Sequence, residues 1–327
     1  MSRGFDGGAG AARRTVLGGM GLLGLASLAG CGIRLEDDAP ALPGIPTRSP
    51  IPGEAALVTF LGETVVLADA LSRGDSTWQE LAEIHRLQAR VIESALRSRG
   101  VPEALLSAAT TAPSTSTSTS PTGSSGVATP GPTPTPPPDQ RVPVWEWDSA
   151  KAAYGLVSVV ADDLVPTLAA IAAARSAGAF ALNPKRAPYA PTGSPLSAET
   201  VLPLLAVTRE AVYGMEVVSA RADRQSDRAL ATLGQLRVLV RAQEANAGSA
   251  APPTPLGYAL PFVVRDDATG ARMAKQLLDR LAIAYAAALP RVVDDRPSAV
   301  TVLNWLGWAT RTGQAWGLAP VAFPGLP

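Results

Sequence analysis

The stretch LLAVTREAVYGMEVVSARA, residues 204–222, decides the fold class of this chain. Its apolar side chains recur at spacings of three and four residues, which places them on one face of an α-helix. That face consists of Leu204, Val207, Ala211, Met215, Val218 and Ala222. The pattern predicts an amphipathic helix that begins near Ser197 and contains Pro203 close to its start.

Three further segments with the same helical period follow along the chain. One ends by Gly248, the next opens after Asp266 and Asp267, and the last runs from about Pro297 to Gly317. Acidic residues at a helix N-terminus complement the helix dipole. Consecutive amphipathic helices of this length enclose a common core, so residues 197–327 are predicted to form a four-helix bundle. We find no convincing strand, and the predicted fold class is all-α.

Additional helices precede this bundle. Residues 53–102 are predicted as a helical hairpin, with a capping box formed by Thr77 and Glu80 at the start of its second helix. Residues 144–196 are predicted as one long helix, kinked by Pro166, followed by a Pro-rich connection. We expect these helices to pack against the C-terminal bundle.

Two segments have compositions that do not favour a packed core. Residues 31–52 are acidic and then Pro-rich, and we predict that they form a tether. Residues 103–143 consist largely of Ser, Thr, Pro and Gly. Such a segment buries too little apolar surface to offset its ordering entropy, so we predict a disordered linker.

The N-terminal residues 1–30 are predicted to be a signal peptide of the lipoprotein type. An uncharged apolar run ends in Leu28, Ala29, Gly30 and Cys31, and it is too short for a comfortable membrane span. Small residues before a cysteine are what a lipoprotein signal peptidase recognises. Cys31 is therefore predicted to carry fatty-acyl chains of the palmitate type and to anchor the protein to the cell membrane on its extracytoplasmic face. The alternative is a generic cleaved signal whose cysteine is incidental.

The export route is suggested by the paired Arg13 and Arg14 ahead of the apolar run. They resemble a twin-arginine signal, although Val16 stands where an aromatic residue is usual. General secretion remains the alternative. Either route places the chain outside the cytoplasm.

The cysteine count and the charge exclude other classes of protein. Cys31 is the one cysteine of the chain, so no intramolecular disulfide forms. The formal net charge is +0, and nucleic-acid-binding proteins usually carry an excess of basic residues. We therefore predict no nucleic-acid partner.

Four short sequences carry a resemblance to a known family. They are the run from Cys31 to Asp38, Ala211-Val212-Tyr213-Gly214, the run from Tyr258 to Phe262, and the run from Phe323 to Pro327. With these the chain resembles the ferritin-like domain of unknown function found in lipoproteins of high-GC Gram-positive bacteria. The resemblance implies a ferritin-like four-helix bundle in an envelope lipoprotein, and none of its motifs is catalytic.

The ferritin resemblance raises the question of a metal site. Di-iron bundles use Glu-x-x-His motifs, but His85 is the one histidine and Ala82 stands three residues before it. We predict that His85 is a half-buried structural imidazole. Glu210 and Glu216 are weak metal candidates, because six residues separate them and roughly 240° divides them around the helix axis. We predict no cofactor and no catalytic residue.

The last helix is apolar around most of its circumference, which is typical of a buried helix. The alternative is that Trp305 and Trp308 expose an edge to a protein partner. The chain has no nucleophile elbow, phosphate-binding loop or dinucleotide fingerprint. The sequence thus favours a non-catalytic binding or assembly role in the cell envelope, with a possible envelope protein partner. The alternative is a carboxylate-based metal-binding protein or oxidoreductase.

Overall fold

The computed structural model describes residues 48–111 and 142–327, and the regular structure in these residues is helical. The predicted signal peptide, Cys31 and most of the tether lie outside the described residues, as does the central part of the predicted linker. The helices are α1 (Glu54–Leu71), α2 (Ser76–Ser98), α3 (Glu103–Thr110), α4 (Val142–Val157), α5 (Val165–Leu182), α6 (Ala198–Arg221), α7 (Ser226–Ala247), α8 (Asp267–Ala288) and α9 (Arg296–Ala315).

The predicted hairpin of residues 53–102 is present as α1 and α2, which pack against each other. The capping residue of α2 is Asp75, whose side chain accepts a hydrogen bond from the backbone N–H of Trp78. The predicted capping box of Thr77 and Glu80 is therefore wrong, because the helix begins one residue earlier than Thr77. Gly100 has a φ of 76°, a left-handed conformation that ends the helix at little steric cost.

The N-terminal boundary of the predicted linker is wrong, because residues 103–110 form α3. Leu106 is fully buried, so this short helix has an apolar anchor that the surrounding composition obscures. α3 packs closely on α1 at Gly62, where an added Cβ would lie 2.8 Å from the carbonyl oxygen of Ala109. Val142 also starts α4 inside the range predicted as linker.

The predicted long kinked helix is two helices, α4 and α5, which pack side by side. Pro166 is the second residue of α5. A proline in the first turn breaks no intrahelical hydrogen bond, so the chain begins a helix there instead of bending one. Asp162 and Asp163 lie in the connection, where they pair with Arg296 and Arg99 respectively.

The starts of the C-terminal helices agree with the sequence prediction. Ser197 caps α6 by accepting a hydrogen bond from the backbone N–H of Thr200, at 3.3 Å. Asp266 caps α8 and forms a reciprocal capping box with Thr269. These caps satisfy backbone N–H groups that have no partner within the helix.

Helix packing divides residues Ser49–Pro327, which form one compact unit, into two sets. The N-terminal bundle is α1, α2, α4 and α5, and the C-terminal set is α6, α7, α8 and α9. α6 packs against α7 and α8, and α8 packs against α9. α5 also packs along α9, so the earlier helices contact the C-terminal set as predicted.

One stretch of the described residues, Asp162–Leu182, is long and apolar enough to span a membrane by length and composition alone. It contains α5, and 78% of its most apolar window is buried inside the protein. The stretch has a mean hydropathy of 1.4. Its apolar side chains are buried because α5 packs against α4 and α9. This pattern is typical of the core helix of a folded domain.

Candidate functional site

The core of the N-terminal bundle contains a charged side chain, Arg175 of α5, which is completely buried. Its guanidinium donates hydrogen bonds to Gln88 Oε1 at 2.9 Å, to Thr64 Oγ1 at 2.9 Å and to Ser149 Oγ. α1, α2 and α4 each supply one acceptor. The side chain of Arg175 therefore ties together the four helices of the bundle, and we call this group the arginine cluster.

His85 lies beside the arginine cluster and is paired with Glu146 of α4. The distance between His85 Nε2 and Glu146 Oε2 is 2.7 Å, and the two side chains are at most 1% exposed. His85 is therefore buried more deeply than the half-buried position predicted from the sequence, and its partner comes from another helix and not from its own. Gly178 allows this approach, because an added Cβ would lie 3.0 Å from Glu146 Oε1.

Burial and the neighbouring charges set the protonation of these groups. Burial lowers the pKa of His85, and the charge of Arg175 lowers it further, against an opposing effect of Glu146. Burial raises the pKa of Glu146, but the interactions with His85 and Arg175 outweigh it, so this pKa lies below its ordinary value. Burial lowers the pKa of Arg175 to about 10. These shifts disfavour the protonated form of His85 and favour the ionised form of Glu146.

The arginine cluster and the His85–Glu146 pair beside it are enclosed. His85 Nδ1, Glu146 Oε1 and Ser176 Oγ have no hydrogen-bond partner within the described part of the chain. A solute does not reach side chains that are this deeply buried without opening the bundle. The arrangement specifies how the helices pack, and it is not a binding site for a ligand from solution.

A smaller polar group occupies the interior of the C-terminal set. The hydroxyl of Tyr285 on α8 lies 2.9 Å from Thr208 Oγ1 of α6 and accepts a hydrogen bond of 3.4 Å from Gln243 of α7. Trp305 of α9 packs against the same ring, with ring centroids 5.8 Å apart. Burial raises the pKa of Tyr285 to about 12.

The accessible candidate site is a groove of about 290 Å³ between α6, α7 and the segment that follows α7. We call it the α6–α7 groove. The charged, aromatic and exposed apolar side chains that define it come from all three elements. They are Arg209, Tyr213 and Glu216 of α6, Arg237 and Arg241 of α7, and Leu256 and Tyr258 of the following segment.

The arginines of the groove differ in how they are engaged. Arg209 is held by the carbonyl oxygen of Pro252 at 2.8 Å and by Glu244 at 2.7 Å, while its buried Nε has no hydrogen-bond partner in the residues described. Arg237 pairs with Glu216 at 2.9 Å. Arg241 is exposed, and no described carboxylate pairs with it.

Two tyrosines form the aromatic part of the groove. The rings of Tyr213 and Tyr258 are 5.8 Å apart and inclined at 48°, and neither hydroxyl hydrogen-bonds to another described residue. Burial raises the pKa of Tyr258, with Arg209 opposing the shift. Leu256 beside them is fully exposed. A large apolar side chain in that position marks a surface that can contact a partner.

The weak metal candidates lie in separate ion pairs. Glu210 accepts two hydrogen bonds from Arg280, at 2.5 and 3.0 Å, while Glu216 pairs with Arg237. Within residues 48–111 and 142–327, no three His, Cys, Asp or Glu side chains are grouped as metal ligands would be. The structure therefore does not bring Glu210 and Glu216 together.

The alternative interpretation of the last helix, in which Trp305 and Trp308 expose an edge to a partner, is wrong for Trp305. Trp305 is only 7% exposed and packs on Tyr285, so it is part of the core and does not present an edge to solvent. Trp308 is partly buried and packs against the main core cluster. The apolar circumference of α9 is explained by its contacts with both α8 and α5.

Sequence reasoning missed the most deeply buried ionic residues, Arg175 and Glu146. One signal was available for Arg175, which stands in the run IAAARSAGAFAL, residues 171–182, where almost every neighbour is apolar. An arginine that is surrounded by alanines on a buried helix must find its partners inside the protein. No comparable local signal identifies Glu146 as its counterpart.

The comparison with known protein families concerns the segment that contains the groove. Residues 203–327 match a family described as Domain of unknown function (DUF4439). This range includes every residue that lines the α6–α7 groove. No curated protein and no solved structure gives a significant match to the chain.

Proposed function

We propose that this protein is a lipid-anchored extracytoplasmic binding protein without a catalytic centre, and that the α6–α7 groove is its binding site. The groove combines an exposed leucine with an arginine and two tyrosine hydroxyls that have no partner among the described residues. Binding sites commonly join apolar surface to a few polar groups that orient a ligand. The observation that carries this proposal is that the exposed Leu256 and Arg241 line one groove.

We also propose that the matched domain is a ferritin-like four-helix bundle. The phenol group of Tyr285 on α8 is contacted by one residue from each of the other three helices. These residues are Thr208 of α6, Gln243 of α7 and Trp305 of α9. A shared core of this kind is expected of a four-helix bundle. The Ser, Thr and Pro content of residues 112–141 supports a disordered linker between the helices that flank it.

The location outside the cytoplasm is supported by the sequence around Cys31. Membrane fractionation of the wild-type and Cys31→Ala proteins tests the anchor, and we expect only the wild type to remain with membranes. Mass spectrometry of the mature N-terminus provides a second readout. An unmodified peptide that continues across residues 28–34 in most of the mature protein would contradict lipidation at Cys31.

The role of the groove is tested by photo-crosslinking in cells. A photoreactive amino acid replaces Leu256, and a matched control replaces Leu230, an exposed leucine on α7 that does not line the groove. We expect a discrete adduct from position 256 and none from position 230. Equal labelling at both positions, or none at either, would refute the groove as the binding site.

The alternative of a carboxylate-based metalloprotein predicts a different result. It requires Glu210 and Glu216 to leave the ion pairs that they form with arginines. Metal analysis of protein purified from its own host separates the two functions. About one iron or manganese ion per chain would overturn the binding-protein proposal.

A further inference from the structure

We infer that the α6–α7 groove binds an acidic polypeptide segment in an extended conformation. This inference rests on the proposed function and specifies its ligand. It is carried by three properties of the groove: an uncompensated positive charge, hydrogen-bond donors beside apolar surface, and a stretch of backbone with unused hydrogen-bonding groups.

The charge of the groove favours a carboxylate. Arg209 and Arg237 are paired with Glu244 and Glu216, so their charges are compensated within the protein. Arg241 lines the same groove without an ion-pair partner among the described residues. A guanidinium binds a carboxylate through two parallel hydrogen bonds, and a single unpaired arginine matches the single charge of an aspartate or glutamate.

The surroundings of Arg241 suit a peptide side chain that carries its charge next to apolar groups. Val212, Val240 and Leu256 provide apolar surface, and the hydroxyls of Tyr213 and Tyr258 are unused donors. Tyrosine offers a large contact area together with one hydrogen bond at a low cost in conformational entropy. The combination selects an amphipathic anion over a small inorganic one.

The segment after α7 offers its backbone to a ligand. None of the peptide groups of residues 253–263 forms a hydrogen bond with another described residue. The segment is nevertheless held at both ends, by the bond from Arg209 to the carbonyl of Pro252 and by Arg272 stacked 4.1 Å from the ring of Phe262. An extended peptide alongside such a segment can use its own backbone groups for affinity and its side chains for specificity.

A phosphate-bearing ligand, such as an anionic lipid headgroup, fits the groove less well. Phosphate sites usually collect several cationic or N–H donors around one group. Here the second and third arginines already have carboxylate partners, and Glu216 stands in the groove and repels a multiply charged anion. A peptide carboxylate places only one charge beside Arg241 and leaves the existing pairs intact.

The experiment measures peptide binding to the full-length protein, purified from membranes in detergent, by fluorescence polarisation. The probe is a labelled peptide that alternates Glu with Val and Leu, so that its acids share one face when it is extended. The comparison probe has Gln in place of every Glu. Inorganic phosphate and glycerol 3-phosphate, a water-soluble compound that represents an anionic lipid headgroup, serve as competitors.

We expect the acidic peptide to bind and the Gln peptide to bind at least tenfold more weakly, since a hydrogen bond to a charged group is worth about tenfold or more. Arg241→Gln should weaken the acidic peptide by about the same factor. Arg221→Gln, an exposed arginine of α6 outside the groove, should leave binding unchanged. Tyr258→Phe removes one hydroxyl and should weaken binding by a few-fold.

Equal affinity for the Glu and Gln peptides, or an acidic-peptide affinity that Arg241→Gln does not change, would overturn the ligand assignment. The ligand assignment would also be overturned if inorganic phosphate or glycerol 3-phosphate displaced the peptide at a concentration below the dissociation constant of the peptide. If neither peptide binds while the crosslink at position 256 persists, the acidic-peptide inference fails and the groove keeps its role as a binding site. Circular dichroism of each variant verifies that the helices are retained.

Discussion

Replacing Arg175 with methionine is expected to destabilise the N-terminal bundle strongly. The substitution keeps most of the side-chain volume on α5 but removes the guanidinium that three helices bind through Gln88, Ser149 and Thr64. It also removes a cation that, together with the interaction with His85, favours the ionised form of the buried carboxylate of Glu146. The variant therefore combines lost hydrogen bonds with an uncompensated charge.

The size of the effect follows from these two losses. Removing one partner from a buried ionic group costs about 3–5 kcal/mol, because the remaining charge stays desolvated. Unsatisfied acceptors left behind on the other helices act in the same direction. Since a domain is typically stable by only about 5–15 kcal/mol, we expect the free energy of unfolding to fall by about a third or more.

Chemical denaturation followed by circular dichroism measures this change. The matched control is Arg90→Met, an exposed arginine of α2, which should alter the unfolding free energy by no more than about 0.5 kcal/mol. Adding Glu146→Gln to Arg175→Met removes the uncompensated anion and should recover part of the loss. The charge-compensation argument is wrong if Arg175→Met lowers the free energy of unfolding by less than about 1 kcal/mol. It is also wrong if adding Glu146→Gln lowers the free energy of unfolding of Arg175→Met further.

Three further predictions concern pH and backbone packing. The pKa of His85 is lowered in the folded protein, so the unfolded chain takes up a proton first as the pH falls through 6.5. The free energy of unfolding should therefore decrease from pH 7.5 to pH 5.5, and denaturation curves of His85→Gln should lose this slope. Burial raises the pKa of Glu63, which acts in the opposite sense and is present in both proteins, so the comparison of the two isolates the contribution of His85. Gly193→Ala should cost about 1–3 kcal/mol, because its Cβ would lie 2.7 Å from the backbone nitrogen of Thr301. Thermal unfolding of Gly234→Ala, a mid-helix glycine with open space around it, should show a gain of about 0.5–1 kcal/mol instead.

Local sequence signals were sufficient for most helix boundaries. Helices begin at Ser197 and at Asp266 as predicted, and each of these residues caps its helix through an interaction between residues only three positions apart. The prediction of a kink at Pro166 was wrong because the local sequence fits two structures. A proline suits the first turn of a helix as well as a kink. The spacing of apolar residues alone does not decide between these two positions.

The candidate site depended much less on local pattern. The pairing of His85 with Glu146 joins residues that lie 61 positions apart in the chain, and the bond between Arg175 and Gln88 spans 87 positions. Tyr213 and Tyr258 meet only because the segment after α7 returns across α6. Periodicity reports which face of a helix is apolar, and it carries no information about which distant face will cover it.

The sequence by itself determined that the described part of this chain is helical, because the 3.6-residue period and the caps are properties of neighbouring residues. The tertiary structure alone decided that Arg175 is buried in a core while Arg241 is exposed to solvent in a groove. Both arginines lie on helices, and their exposure depends on which other helices pack over them. That choice is made by contacts between residues far apart in the chain.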